Sequence, residues 1–288
     1  MIKYERKIQK TSKTTYTVSL PIDWIRKCSL QKNEDVLIED FNNFLIIKPK
    51  DMEKTKIEKN VEKYPKHLIE QIIIGAYIRN IDKIVLTNLT KEKLPEIKKF
   101  VEECLFGSFI EYKPSQKELE IFFITDEYSL SRHKILYHLF YLVEWFLKIS
   151  RDSITTKFSK KKLSQMDEMD KEVDKYYYLS MRLYPNEYLS RYATIIENMA
   201  DSLINIGELK RLSKKDKETI STILQILEEK FSLAVQYYTY RNIKELSSIT
   251  QDLKKLNIKL RKTKYSYTTE PVRLLRDLCE AMIDELLS

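Results

Sequence analysis

From residue 128 to residue 288, apolar side chains recur at steps of three and four, the repeat that lines one face of an α-helix. The repeat breaks near 152–162, 184–187, 212–216, 240–242 and 263–271, which predicts six helices grouped as three plus three, about 128–212 and 213–288. The third helix (about 187–212) and the sixth (about 271–288) each carry an acidic residue followed four positions later by aspartate, a sign of a duplicated three-helix unit. The most apolar stretch, KILYHLFYLVEWFLKIS, holds two tyrosines, His138 and Glu144. A membrane crossing needs ~20 mostly apolar residues, so this segment reads as a core helix and no membrane insertion is expected.

The preceding residues are of a different kind. In residues 1–50, KYERKIQK and TTYTVSL have strand composition, Pro21 opens the short helix PIDWIRKCS, and DVLIED and NFLIIKP read as two further strands turning near Phe41 and Asn42. DMEKTKIEKN (51–60) reads as a charged linker. Residues 61–127 alternate: helical HLIEQIIIGAYI, strand KIVLTNL, helical KLPEIKKFVEECLF, then SFIEYK and ELEIFFIT as a hairpin around Pro114. The fold class expected is therefore α+β and multidomain: a small β-rich head, a small α/β unit and an all-α body. A head of about fifty residues buries too little surface to stand alone, and it shows neither disulfide nor metal site, so a homodimer is expected.

Several chemistries are closed to this chain. It has 3 glycines and neither G-x-G-x-x-G nor G-x-x-x-x-G-K-[ST], so nucleotide cradles of those kinds are absent. Cys28, Cys104 and Cys279 form no C-x-x-C pair, which suits a reducing compartment. The opening MIKYERKIQK lacks the apolar run of a signal peptide, and a cytoplasmic location is expected. A metal-dependent hydrolase would fit the acidic residues formally, but no general base stands apart from them, so the chain is read as a non-enzyme.

Two sets of residues carry candidate chemistry. In the first 27 residues Arg6, Lys7, Lys10, Lys13, Arg26 and Lys27, with Lys3, face only Glu5 and Asp23. The net charge of +8 points the same way, toward a polyanion such as duplex DNA; a solvated edge strand protected by lysine has the same composition. The second set is acidic: Asp170 with Asp174, Glu197 with Asp201, and Glu280 with Asp284, each pair on one helical face. Acids four apart are common on solvated helices. Glu197 and Asp201, however, have no Lys or Arg three or four residues away, nor has Asp170, and Asp174 has only Lys171. Carboxylates left uncompensated in this way suit a hard cation. Glu280 has Arg276 one turn before it. His67, His133 and His138 share no helical face and read as structural.

The segment RKIQKTSKTTYTVSLPIDWIRKCSLQKNEDVLIEDFNNFLIIKP resembles the AbrB/MazE-type swapped-hairpin DNA-binding domain: a basic first strand, Ser19-Leu20-Pro21 entering a short helix with Trp24, then two strands. Ser12, Ser29 and Asn33 stand where that family has glycine, and asparagine is the one of the three suited to a left-handed backbone. DKEVDKYYYLSMRL (Asp170 to Leu183) and IENMADSLINIGE (Ile196 to Glu208) resemble the PhoU family, in particular its archaeal branch fused to an AbrB-like head. The resemblance implies two three-helix bundles whose acidic helices bind metal ions, divalent or iron, through Asp170, Asp174, Glu197 and Asp201, with Glu280 and Asp284 as a second set. It further implies a dimeric DNA-binding regulator of phosphate uptake. The alternative is an adaptor that docks on a phosphate transporter or a signalling kinase without specific DNA binding.

Overall fold

A computed structural model describes residues 4–28, 30–40, 45–49, 55–124, 130–155, 160–207, 209 and 212–288. The chain forms two compact units, residues 1–54 and 55–288.

In the first unit, β1 (Gln9–Lys10) pairs antiparallel with β2 (Tyr16–Thr17), α1 (Ile22–Lys27) follows, and β3 (Val36–Asp40) pairs antiparallel with β4 (Leu45–Pro49). The β1–β2 turn is built without glycine. Ser12 Oγ accepts from the backbone N–H groups of Thr14 and Thr15 at 3.3 and 3.0 Å, and Thr11 N–H donates to the Thr15 carbonyl at 3.0 Å. A serine hydroxyl thus supplies the bond that would otherwise be missing in the turn. Asn33 has φ 74°, the left-handed conformation expected of it. Ser29 and the turn at Phe41 and Asn42 lie outside the described residues. Among the described residues of this unit no side chain is buried, while Ile8 is 72%, Tyr16 63%, Leu45 61% and Ile38 56% exposed. Among its described residues, one copy of the head exposes apolar side chains and buries none.

The second unit opens with a four-stranded sheet in the order β5-β6-β8-β7, from β5 (Lys56–Asn60), β6 (Lys83–Thr87), β7 (Ser108–Lys113) and β8 (Glu118–Phe123). β5 runs parallel to β6 and the other two pairings are antiparallel. The expected linker therefore contains an edge strand. Its sequence, KIEKN, has one apolar residue, Ile57, which packs against the core, and four polar ones that remain exposed. Charged side chains are how edge strands avoid further pairing, and they erase the alternation by which a strand is read. α2 (Lys66–Ile78) and α3 (Leu94–Cys104) complete a core that includes Ile69, Ile73, Tyr77, Ile84, Ile97, Val101 and Ile121.

Six long helices follow: α4 (Arg132–Thr155), α5 (Lys160–Leu183), α6 (Tyr188–Gly207), α7 (Lys214–Thr239), α8 (Ile243–Leu260) and α9 (Thr269–Leu287). Their ends follow local chemistry. Asn186 takes φ 67° after Pro185 between α5 and α6, Ser213 Oγ caps α7 by accepting from Asp216 N–H, and Asn242 caps α8 through Glu245 N–H. One apolar cluster runs through all six. α4 packs on α6 and α7, α6 on α9, and α8 on α7 and α9, while α5 lies against α4 and α6. At the meeting of α4, α6, α7 and α9, Glu285 accepts hydroxyl hydrogen bonds from Tyr192 (2.5 Å) and Tyr238 (2.7 Å) and pairs with Arg132 at 3.0 Å. None of the described helices is long and apolar enough to cross a membrane.

α5 also faces the α/β core, packing on α2 and α3. Lys171 reaches Glu103 at 2.7 Å. Arg182, 3% exposed, donates from one terminal nitrogen to the carbonyls of Tyr77 (2.7 Å) and Ile81 (3.1 Å), within and just past the end of α2. Its guanidinium also lies 4.9 Å from the Tyr77 ring centre and 5.5 Å from that of Phe123. A buried cation here is offset by helix-end carbonyls, which carry partial negative charge, and by two aromatic faces.

Candidate metal centre

α5 and α6 lie side by side, and one turn of each presents an acidic pair toward the other: Asp170 and Asp174 from α5, Glu197 and Asp201 from α6. On α6 the opposite side is fixed in the core by Met199 and Leu203, both fully buried, which sets the rotation of the helix. All four carboxyl groups have raised pKa values, three of them partly through the charges of their neighbours. Asp170 is pushed up to about 6, first by burial and then by Asp201 and Asp167. Asp174 is pushed up to about 7 by burial, then by Asp170, Glu197 and Asp201. Glu197 is raised by burial and by the charges of Asp201 and Asp170, and Asp201 by burial. Among the described residues none of these four side chains has an ion pair or a hydrogen-bond donor. A cavity of about 360 Å³, lined in part by Asp201, Asn198, Ser202, Asn205, Tyr267 and Glu270, opens at the α6 side of the cluster.

The donor set suits a hard cation, since carboxylate oxygens are what such ions take and nothing else nearby cancels the charge. Among the described residues no three His, Cys, Asp or Glu side chains form a group that could hold an ion.

Glu280 and Asp284 are placed elsewhere, on α9, and both have cationic neighbours. Arg276 Nε is 3.5 Å from Glu280 and Arg191 is 2.8 Å from Asp284. Neither joins the four. Glu208 and Arg211 lie outside the described residues.

No family model, no curated protein and no solved structure matches the chain. What the site can do therefore follows from its own geometry.

The basic residues of the head are exposed: Arg6, Lys7, Lys10, Lys13 and Arg26, while the side chain of Lys27 lies outside the described residues. Arg6 stands 5.5 Å from the Tyr4 ring and donates to the Glu5 carbonyl, and Lys10 stands 5.9 Å from the Tyr16 ring across the β1–β2 pair. Among the described residues Arg6, Lys7, Lys10, Lys13 and Arg26 pair with no acid. The buried thiols are not candidates for chemistry: burial pushes Cys104 up to about 11 and Cys279 up to about 12, which keeps them protonated.

Sequence reasoning missed Arg182 and Glu285. Arg182 had a signal, being a lone cation in the apolar run YYYLSMRLY. Glu285 had none, because its neighbours Glu280 and Asp284 carry the recognisable spacing.

Proposed function

We propose that this chain is a DNA-binding transcriptional regulator of phosphate uptake, related to PhoU proteins with an AbrB-like head. In this reading the head binds duplex DNA as a homodimer, and the helical body holds a divalent or iron cation between α5 and α6. The observation that carries it is the set of four carboxyl groups, Asp170, Asp174 and Glu197 half-buried and Asp201 exposed, brought together from two packed helices with raised pKa values and, among the described residues, no ion pair. The exposed cations and uncovered apolar side chains of the head support the DNA and dimer parts. The phosphate setting rests on the resemblance of the α5 and α6 strings.

The cation would supply charge that reverses the repulsion among the four acids, and it acts as a signal only by binding two arrangements of the body differently. The test starts from DNA that co-purifies with the native protein, sequenced to find its sites. Binding of the chelator-treated full chain to such a site is then measured with and without Mn²⁺ or Fe²⁺. The proposal expects a metal-dependent change in affinity that Glu197→Gln with Asp201→Asn removes. No enriched sites, or a metal response that the double variant keeps, would reject it.

A further inference from the structure

The end of the second unit where α8 finishes and α7 begins is strongly cationic. The charged residues that α8 exposes are all lysines: Lys254, Lys255 and Lys259 toward this end, and Lys244 at its far end. Its two acids, Glu245 and Asp252, are half-buried, and Asp252 is held by Lys230 at 2.7 Å. The exposed turn after α8 adds Arg261, Lys262 and Lys264. This turn folds back onto the first turn of α7: Lys264 pairs with Asp216, and the Tyr265 hydroxyl donates to the same carboxylate at 2.8 Å. The contact pairs off Lys264 with Asp216 and leaves the exposed Lys214 and Lys215 beside the α8 end, with the exposed Glu218 about one turn farther along α7. Ile258, 51% exposed, stands among these lysines, three or four residues from Lys254, Lys255 and Lys262.

A solvated helix face ordinarily mixes both signs of charge, and this one does not. Long ammonium-bearing stems around one exposed aliphatic side chain fit a bilayer with acidic headgroups: the lysines meet phosphate, and the isoleucine enters the boundary with the acyl chains. Nucleic acid fits less well. It offers Ile258 no apolar counterpart, and the fork that reads bases and phosphates in two bonds is arginine's. Here the one arginine, Arg261, has its Nε committed to Asn257 Oδ1 at 3.0 Å.

We propose that this lysine-lined end of the helical body, centred on Ile258, is a docking surface for an anionic phospholipid membrane. It lies in a different unit from the basic head, so the body and the head address different polyanions.

The full chain is tested by co-sedimentation with vesicles of phosphatidylcholine alone and of phosphatidylcholine mixed with phosphatidylglycerol. Binding to the mixed vesicles only, weakening as salt rises, is the expected result. Lys254→Gln, Lys255→Gln and Lys259→Gln should each lower the partition coefficient roughly fivefold, and arginine at the same three positions should restore it. Ile258→Ser should weaken vesicle binding and leave duplex DNA binding unchanged. Arg6→Ala with Lys7→Ala and Lys10→Ala should leave vesicle binding intact. The idea is overturned if the chain ignores phosphatidylglycerol, if the head variant abolishes vesicle binding, or if the glutamine set lowers DNA binding and not vesicle binding. Should the glutamine set fail to fold, Ile258→Ser and the arginine set still decide the matter.

Discussion

Asp174 holds its proton up to about pH 7 because burial and three neighbouring acids all oppose its charge. Asp170 behaves likewise to about pH 6. Unfolded, both titrate near 3.8. Between those limits the folded chain carries more protons than the unfolded one, so stability must fall as pH rises through this window. In chelator the chain should unfold at a lower temperature at pH 8 than at pH 5, and Asp174→Asn should flatten that slope. Saturating metal should raise the unfolding temperature most at the alkaline end, where the carboxylates are free to bind, and calorimetry across pH reads both effects. The four acids were legible in the sequence because helical spacing and the lack of cations one turn away are both visible there. Glu285 was not. It sits beside Asp284 on α9 but points inward, and the tyrosines it serves lie about fifty and ninety residues away in the chain. Glu285→Ala removes the carboxylate acceptor of the Tyr238 hydroxyl, leaves Tyr192 its longer bond to the Ala281 carbonyl and Arg132 its pair with Glu187, and urea unfolding should show a loss of about 2–4 kcal/mol.

At the scale of elements, α5 has two working sides. One turns Asp170 and Asp174 toward α6; the other turns Lys171 and Arg182 toward α3 and α2. Arg182→Leu should cost about 2–4 kcal/mol, since it removes the side-chain donor of the Ile81 carbonyl and one of the two donors of the Tyr77 carbonyl in a buried place. Amide exchange in the last turn of α2 should quicken by the same cause, and Arg182→Lys should fall between, keeping the charge but losing the fork. The six-helix pattern could be read in advance because each helix buries one stripe and breaks at a proline, a cap or a left-handed asparagine. β5 could not, because an edge strand with one inward residue has no pattern to show. β1 and β2 were read as long strands from their composition, yet two residues of each form the ladder. Strand composition reports what a side chain would tolerate, whereas the ladder depends on which backbone finds a partner.

At the scale of the molecule, the head and the second unit differ in what holds them. With no buried side chain among its described residues, the head is expected to need association, and residues 1–54 alone should sediment as a dimer; a folded monomer would contradict this. For the full chain, replacing Arg6, Lys7 and Lys10 by alanine should reduce the slope of log affinity for duplex DNA against log salt by ~0.9 for each phosphate that is no longer neutralised. An unchanged slope would make these residues a protected edge. The second unit buries apolar side chains of its own. Its α/β segment and its helices have separate apolar clusters, which would suggest parts that can be exchanged singly between proteins. The Arg182 contact argues otherwise. A chain begun at residue 55 carries away everything this side chain needs, whereas one begun at residue 130 would keep a guanidinium without the carbonyls it is aimed at. Whatever shuffling brought such segments together, α5 is the point past which they can be inherited only as a pair.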